Sequence, residues 1–186
     1  MTQNGLIEQY IGGLKKWNNT INLVQRETLN DVYNRHIKDC KQLSKYLSAD
    51  NFIIDVGSGA GLPGVVLSIM GYQDIVLCEK DYRKCVFLRD VRCNLNLGYE
   101  IYNSDIYKYK VPEGKQDSAV CVARAFASLD KLISIMEKLN VSRGVFHKGE
   151  SYMNEIDEAT SKHDFEYTLY PSETNPSSVI LEIRRA

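Results

Sequence analysis

The stretch IIDVGSGAGLPG, from Ile53 to Gly64, decides the fold because it changes within a few residues from a strand into a turn. Its first residues form the apolar, β-branched pattern of a buried strand. Glycine then recurs at every second position from Gly57 to Gly61, and Pro63 begins an apolar helical run. A glycine loop between a strand and a helix directs backbone N–H groups at a ligand. The stretch therefore predicts a ligand site at the end of a sheet strand.

The sequence after this stretch alternates strand patterns with helical patterns. Repeated strand–helix units predict a mostly parallel sheet with right-handed crossovers, and the last two strands read as a closing antiparallel pair. We therefore expect a Rossmann-like α/β fold with a seven-stranded sheet. The predicted strands are FIIDV (52–56), DIVLCE (74–79), YEIYNSD (99–105), SAVCVARA (118–125), GVFHK (144–148), FEYTLY (165–170) and SVILEIRR (178–185).

Two helical patterns precede the first strand. Apolar residues from Leu6 to Trp17 recur at helical spacing, and a second helix is expected to begin with Thr28 as its cap. His36 lies on the apolar face of that second helix. No linker or repeat divides the chain, so we expect one domain over residues 1–186, with a helical extension (1–50) and a Rossmann-like core (51–186).

Composition limits the class of protein. The chain has 186 residues, 44% of them hydrophobic, and a net charge of −1, so attraction to nucleic acid must come from a local patch. It has no apolar run of the roughly 20 residues that span a membrane, and its N-terminus lacks a signal peptide, so we expect a cytoplasmic protein without membrane contact. The five cysteines lack metal-ligand or disulfide spacing, and no metal site is expected.

The glycine loop is compatible with two cofactors. Gly59–Gly64 matches the dinucleotide pattern G-x-G-x-x-G, and Glu79 follows at the distance of an acid that meets ribose hydroxyls. Asp55, however, would repel a pyrophosphate and would attract the ammonium and sulfonium of S-adenosylmethionine. Gly57 extends the pattern to D-x-G-x-G-x-G, which many methyltransferases have. These features favour S-adenosylmethionine, with an NAD-dependent oxidoreductase or a non-catalytic nucleotide-binding or ribosome-interacting module as alternatives.

The strand ends indicate the type of methyl acceptor. The chain lacks the Asn/Asp-Pro-Pro-Tyr/Phe motif of amino methylation and the Pro-Cys element of pyrimidine C5 methylation. A ring nitrogen such as guanine N7 needs neither. Arg124 and Lys148 end the fourth and fifth strands, and we expect both to point into one crevice and to fix the nucleotide. His36 is interpreted either as a core histidine that pairs with Asp39 or as part of a lid over the site. Asp39 is also suitably spaced to pair with Arg35.

The chain resembles the GidB/RsmG family, whose members methylate guanine N7 in 16S ribosomal RNA. The resemblance rests on KKWNNTINL, RHIKDC, DVGSGAGLPG, EKDYRKCVFLRDV, ARAFASL and KGE, in that order along almost the whole chain. It implies a class I S-adenosylmethionine-dependent methyltransferase of the bacterial cytoplasm. Its implied substrate is 16S ribosomal RNA, and we expect this RNA to be methylated within a small-subunit particle. We expect the enzyme to be a monomer.

The resemblance also implies individual site residues. Gly57 and Leu62 match loop positions that contact the cofactor, and Arg124 matches an arginine that reaches it. Ile106 and Tyr107 match a pair that flanks the adenine, with Asp105 close enough to compete for its amine. Together with the residues inferred from chemistry, the expected cofactor site comprises Asp55, Gly57, Ser58, Gly59, Gly61, Leu62, Glu79, Asp105, Ile106, Tyr107 and Arg124, and the expected catalytic residues are Arg124, Lys148 and His36.

The near-neutral net charge requires a local basic surface if the substrate is RNA. The first 50 residues carry only a slight excess of positive charge. We expect the folded chain to assemble the rest from Lys108, Lys110, Arg124, Arg143 and Lys148.

The two cofactor hypotheses predict different ligands. We expect isothermal titration calorimetry to detect binding of S-adenosylhomocysteine and not of NADH, because Asp55 and Gly57 favour a cationic ligand over a pyrophosphate. Tight NADH binding without S-adenosylhomocysteine binding would contradict this expectation.

Overall fold

A computed structural model describes residues 2–185 and contains, within them, one seven-stranded sheet in the order β3-β2-β1-β4-β5-β7-β6. Strands β1 to β5 pair in parallel, whereas β7 is antiparallel to β5 and β6. The predicted Rossmann-like architecture with its C-terminal antiparallel pair is confirmed. The strands are β1 (Phe52–Val56), β2 (Ile75–Cys78), β3 (Glu100–Tyr102), β4 (Ala119–Arg124), β5 (Arg143–Lys148), β6 (Glu166–Pro171) and β7 (Val179–Arg184).

The helices pack on both faces of the sheet. They are α1 (Gln3–Asn18), α2 (Lys38–Lys41), α3 (Gly64–Ile69), α4 (Tyr82–Leu95), α5 (Leu129–Leu139) and α6 (Tyr152–Thr160). Helix α6 was not predicted from the sequence. Helix α4 ends at Leu95, because Asn96 adopts the left-handed conformation (φ 51°) that stops a helix. Among residues 2–185, no helix combines the length and the apolar character needed to cross a lipid bilayer.

The second predicted helix is instead a segment of changing helical type, residues 26–46. It runs as a 3₁₀ helix (Arg26–Asp31), a π turn (Tyr33–Ile37), α2 and a second 3₁₀ helix (Gln42–Tyr46). Thr28 lies inside the first 3₁₀ helix and is not its cap; its hydroxyl donates to the Gln25 carbonyl over 2.6 Å. Because 3₁₀, α and π turns contain different numbers of residues, this segment does not keep the regular spacing of an α-helix. π turns are frequent at functional sites.

The hydrophobic core has one part on each face of the sheet. Alternation along β1 separates the two parts, since Ile53 belongs to one cluster and Ile54 to the other. Helices α1, α3 and α4 cover the Ile53 face, and α5 and α6 cover the Ile54 face. By the same alternation, Asp55 faces α3.

Helix α1 is tied to the glycine loop. The hydroxyl of the buried Tyr10 donates to the Ala60 carbonyl over 2.7 Å, and the Trp17 Nε1 donates to Asp90 of α4 over 2.9 Å. Both bonds span more than 45 residues of sequence, so the N-terminal helix holds the loop and α4 in place.

A pair of tyrosines tests this role of α1. Tyr10→Phe and Tyr99→Phe each remove a buried 2.7 Å hydrogen bond to a backbone carbonyl, that of Ala60 or of Leu88. We expect each change to lower the free energy of unfolding by about 1–3 kcal/mol in urea.

Only Tyr10→Phe is expected to weaken S-adenosylhomocysteine binding as well, because only Ala60 belongs to the glycine loop. Calorimetry on both variants checks this expectation, and equal cofactor affinity in the two variants would contradict it.

Candidate functional site

A large cavity, of about 1080 Å³, opens at the carboxyl ends of the parallel strands. Strand order reverses between β1 and β4, which is where ligands bind in open α/β sheets. Three parts of the chain enclose the cavity: the glycine loop, the segment from Asn22 to Asp39, and the turn between β6 and β7. Of the predicted site residues, the cavity is lined by His36, Gly57, Ser58, Gly59, Leu62, Glu79 and Arg124.

The glycine loop requires glycine for two different reasons. Gly57 (φ 69°) and Gly59 (φ 56°) line the cavity in the left-handed region, and a Cβ at Gly59 would meet only a backbone oxygen, at 3.8 Å. The backbone at Gly59 is therefore open to close approach by a ligand. Gly61 does not line the cavity, and a Cβ there would lie 2.3 Å from Val65, so Gly61 serves packing instead.

Glu79 is held at the end of β2 by backbone amides. Its carboxylate accepts from the Gly59 N–H over 2.9 Å and from the Asp81 N–H over 2.8 Å. Each oxygen of a carboxylate has a second acceptor position. Glu79 therefore lines the cavity as a fixed acceptor, as required for contact with ribose hydroxyls.

Asp55 does not face the cavity, so its predicted charge contact with the cofactor is wrong. The side chain is completely buried behind the loop, where Oδ2 accepts from the Gly64 N–H over 3.0 Å. Burial raises the pKa of Asp55 to about 7. The physical reason is strand alternation, which points Asp55 toward α3 and away from the ligand.

Arg124 lines the cavity with its charge paired. Its guanidinium donates to the Asp39 carboxylate over 3.0 Å and to the Arg35 carbonyl over 2.8 Å. Asp39 also accepts from the Thr174 hydroxyl. Asp39 thus joins β4 to the 26–46 segment and to the β6–β7 turn. The expected pairing of Asp39 with the Arg35 side chain or with His36 is not formed.

Two buried histidines stand beside this ion pair. Burial, followed by the charge of Arg124, lowers the pKa of His36 to about 4, and burial also lowers the pKa of His147. His36 Nε2 lies 2.8 Å from the Thr28 hydroxyl. Within residues 2–185, His36 Nδ1, His147 Nε2 and Arg124 Nε have no hydrogen-bond partner. His147 was not predicted as a site residue, although it lies next to the last residue of a predicted strand.

Lys148 does not line the large cavity, but it lines a smaller neighbouring cavity together with Arg124, so the two residues share that smaller crevice. The Lys148 ammonium pairs with the Glu155 carboxylate at 2.6 Å in this smaller cavity. Consecutive strand residues point to opposite faces, which separates Lys148 from His147, whose Nε2 lies 3.9 Å from the Asp39 carboxylate.

The turn after β3 also lies outside the lining of the large cavity. Asp105 caps a 3₁₀ turn (Ile106–Lys108) by accepting from the Tyr107 N–H over 3.1 Å. Ile106 is buried in the core and Tyr107 is partly exposed. The predicted adenine contacts are therefore not brought to this cavity in the structure.

The cationic residues around the cavity differ from those expected. Arg143 is the first residue of β5, and the amino and carboxyl ends of a strand lie on opposite edges of the sheet. Arg143 is therefore far from the cavity, and it pairs with Glu182 at 2.9 Å. Among residues 2–185, no group of three His, Cys, Asp or Glu side chains is arranged for a metal ion. Cations in the cavity lining are Arg26, Arg35, Lys80, Lys84 and Arg124, and carboxylates are Glu27, Asp39 and Glu79.

Comparison with known proteins identifies the family. The profile of GidB, described as rRNA small subunit methyltransferase G, matches residues 3–175. The chain belongs to this family. It is 42% identical over 179 residues to ribosomal RNA small subunit methyltransferase G of Orientia tsutsugamushi strain Boryong, covering 95% of this chain and 88% of the relative. Its identity to the Rickettsia prowazekii protein of the same name is 38% over 172 residues (91% and 87%).

Solved structures support the fold. Magnesium protoporphyrin IX methyltransferase (ChlM) from Synechocystis PCC 6803, solved with bound SAM, superposes with a TM-score of 0.67 at 12% identity, covering 100% of this chain and 98% of that one. The 23S rRNA methyltransferase ErmE superposes with a TM-score of 0.57 at 17% identity (88% and 69%). Family membership confirms the expected resemblance, and the cofactor is S-adenosylmethionine.

The buried Asp55 makes stability depend on pH. Its pKa is about 7 in the folded chain against about 3.9 unfolded, so the folded state binds the proton more tightly. We expect the free energy of unfolding of the wild type to fall, relative to Asp55→Asn, by up to about 1.4 kcal/mol per pH unit between pH 4 and 7. Urea unfolding of both proteins across this range measures the difference, and a difference independent of pH would contradict the prediction.

Proposed function

We propose that the protein transfers a methyl group from S-adenosylmethionine to N7 of a specific guanine in 16S ribosomal RNA. In this proposal the chain acts as a single domain over residues 1–186 and as a cytoplasmic monomer, and its substrate is a small-subunit particle. The observation that carries the proposal is the shared cavity of the glycine loop, Glu79 and Arg124 in a member of the rRNA small subunit methyltransferase G family.

The residues present fit the cofactor. The left-handed Gly59 leaves backbone open to close approach, Gly57 lines the same cavity with Phe126 packed against it, and Glu79 presents fixed acceptors for two ribose hydroxyls. S-adenosylmethionine, when bound, supplies a methyl group activated by a positively charged sulfur. We assign the remaining loop contacts to Ser58 and Leu62, while Gly61 and Asp55 maintain the shape of the loop from behind.

The adenine end of the cofactor is assigned to the turn after β3. The Glu79 N–H donates to the Tyr102 carbonyl over 3.1 Å, so this turn begins beside the ribose position. Asp105, Ile106 and Tyr107 follow directly, and they provide a carboxylate and two apolar side chains of the kind that hold an adenine. Their position next to Glu79 supports the assignment, although they stand outside the lining of the large cavity.

Guanine N7 suits a site that has no general base. Its lone pair is free, so no proton has to leave before the methyl group is transferred, and orientation is the main requirement. We assign this orientation to Arg124 and His36, which both line the large cavity. His36, with a pKa of about 4, is neutral at pH 7 and adds no positive charge to the large cavity, near which the base becomes cationic on methylation.

The approach to the cavity carries charge of the sign that RNA requires. Arg26 and Lys80 are exposed at its edge and Lys84 is half-buried there. Lysine and arginine contacts to phosphates supply much of the affinity for nucleic acid. These three cations support an RNA substrate in spite of the net charge of −1.

The direct test is a methylation assay with labelled S-adenosylmethionine and small ribosomal subunits from cells that lack the gene. We expect label at N7 of one guanine of the 16S RNA, mapped by mass spectrometry, with naked 16S RNA as the comparison substrate. Absence of label with a protein that binds the cofactor would identify a non-catalytic module, and label at another atom would overturn the N7 assignment.

Substitution of Arg124 tests its role in orienting the reactants. We expect Arg124→Ala to lower kcat/KM by about 100-fold, because it removes the guanidinium from the cavity and leaves Asp39 without its cation. Arg83→Ala removes an exposed arginine, whose side chain is 73% accessible, and is expected to leave kcat/KM unchanged. An Arg124→Ala enzyme as active as Arg83→Ala would exclude Arg124 from the site.

A further inference from the structure

A second cavity, of about 360 Å³, lies beside the first at the carboxyl ends of β4 and β5. Arg124, Ala125, Phe126 and His147 line both cavities, so the two are neighbours across this wall. Its far side is formed by residues that the large cavity does not contact, Lys148 and Glu155 among them. Its volume lies within the range of small-molecule sites and is sufficient for one planar base.

Lys148 and Glu155 are held rigidly in this cavity. The Lys148 ammonium pairs with Glu155 Oε2 at 2.6 Å and donates to the Ala127 carbonyl over 3.0 Å. Glu155 Oε2 also accepts from the Leu129 N–H over 2.7 Å, so this carboxylate caps α5, whose preceding residue Ser128 makes no side-chain capping bond. Such a network orients both side chains with little freedom to move.

Each member of the pair keeps hydrogen-bonding capacity for a ligand. An ammonium has three N–H groups, and within residues 2–185 Lys148 has the two partners named above. Glu155 Oε1 has only a 3.3 Å contact from the Ser151 hydroxyl among the described residues. The cavity therefore presents one donor and one acceptor side by side.

We propose that this cavity binds the guanine to be methylated and that Lys148 and Glu155 recognise its Watson–Crick edge; this inference rests on the proposed function. The edge of guanine presents an acceptor, O6, followed by two donors, N1–H and the N2 amine. Lys148 matches O6, and Glu155 Oε1 matches the donors. Adenine presents a donor and then an acceptor, so both contacts would be repulsive.

The orientation agrees with methylation at N7. The N2 amine and N7 lie at opposite ends of a purine, so a base with its N2 end at Glu155 directs N7 away from α6 and toward the wall shared with the large cavity. Phe126 forms part of that wall and packs against Gly57. Ala125 precedes it with φ 52°, a strained conformation for a residue with a side chain, and such strain is concentrated at functional sites.

Binding of mononucleotides tests the inference without turnover. With the protein saturated with S-adenosylhomocysteine, we expect NMR titration to show that GMP binds at least about 5-fold more tightly than AMP. Glu155→Gln keeps the shape and the acceptor for the Leu129 N–H, and we expect it to remove this preference. Glu158→Gln lies on the same helix, at an exposed carboxylate paired with Lys162, and should retain it.

A second experiment measures methylation of RNA in which a single base is changed. Replacing the methylated guanosine by inosine removes only the N2 amine, and we expect kcat/KM to fall about 10-fold for the wild type and for Glu158→Gln. For Glu155→Gln we expect a lower kcat/KM on guanosine and a guanosine-to-inosine ratio below about 3.

The nucleotide-binding and RNA-methylation experiments distinguish failure of this inference from failure of the proposed function. If small subunits are methylated at N7 but GMP and AMP bind equally and inosine reacts like guanosine, the guanine subsite is wrong and the function stands. If no methylation occurs but GMP is preferred through Glu155, the subsite stands and the function is wrong. A preference for GMP that survives Glu155→Gln would overturn the role of Glu155.

Discussion

The buried hydrogen bond from the Gly64 N–H to Asp55 is the contact on which the site depends. It joins the end of β1 to the beginning of α3, across the whole glycine loop, in a position that solvent does not reach. With both ends of the loop held, Gly57 and Gly59 keep their left-handed conformations, and the backbone of Gly59 stays open to the cavity. Tyr10 adds a third point of attachment through Ala60. The acid therefore shapes the cofactor site without contacting the cofactor.

The Arg124–Asp39 ion pair unites the elements around this loop. Its carboxylate comes from the 26–46 segment, its guanidinium from the end of β4, and Thr174 of the β6–β7 turn bonds to the same carboxylate. A buried ion pair of this kind adds little net stability but fixes the geometry of the groups it joins. The neutral histidines beside it line the large cavity, and the Lys148–Glu155 pair lines the smaller cavity on the other side of Phe126.

Much of the fold and part of the site could be predicted from the sequence. Strand periodicity and the glycine pattern predicted all seven strands and the ligand loop, because these are local properties of the chain. The pairing of Asp39, the position of Lys148 and the role of Glu155 could not be predicted. The first and the last depend on a hydrogen-bond partner more than 20 residues away, and the position of Lys148 depends on which face of a strand the residue occupies.

The sequence by itself determined that this chain forms a Rossmann-like sheet with a glycine loop for S-adenosylmethionine, since apolar periodicity and glycine placement are set residue by residue. Only the tertiary structure decided which charged groups face the ligand. Asp55 was drawn behind the loop by strand alternation, whereas Arg124, His36 and His147 were brought together from three separate elements. Burial and neighbouring charge then set the pKa values of Asp55 and the two histidines, and these depend on distances that no linear pattern contains.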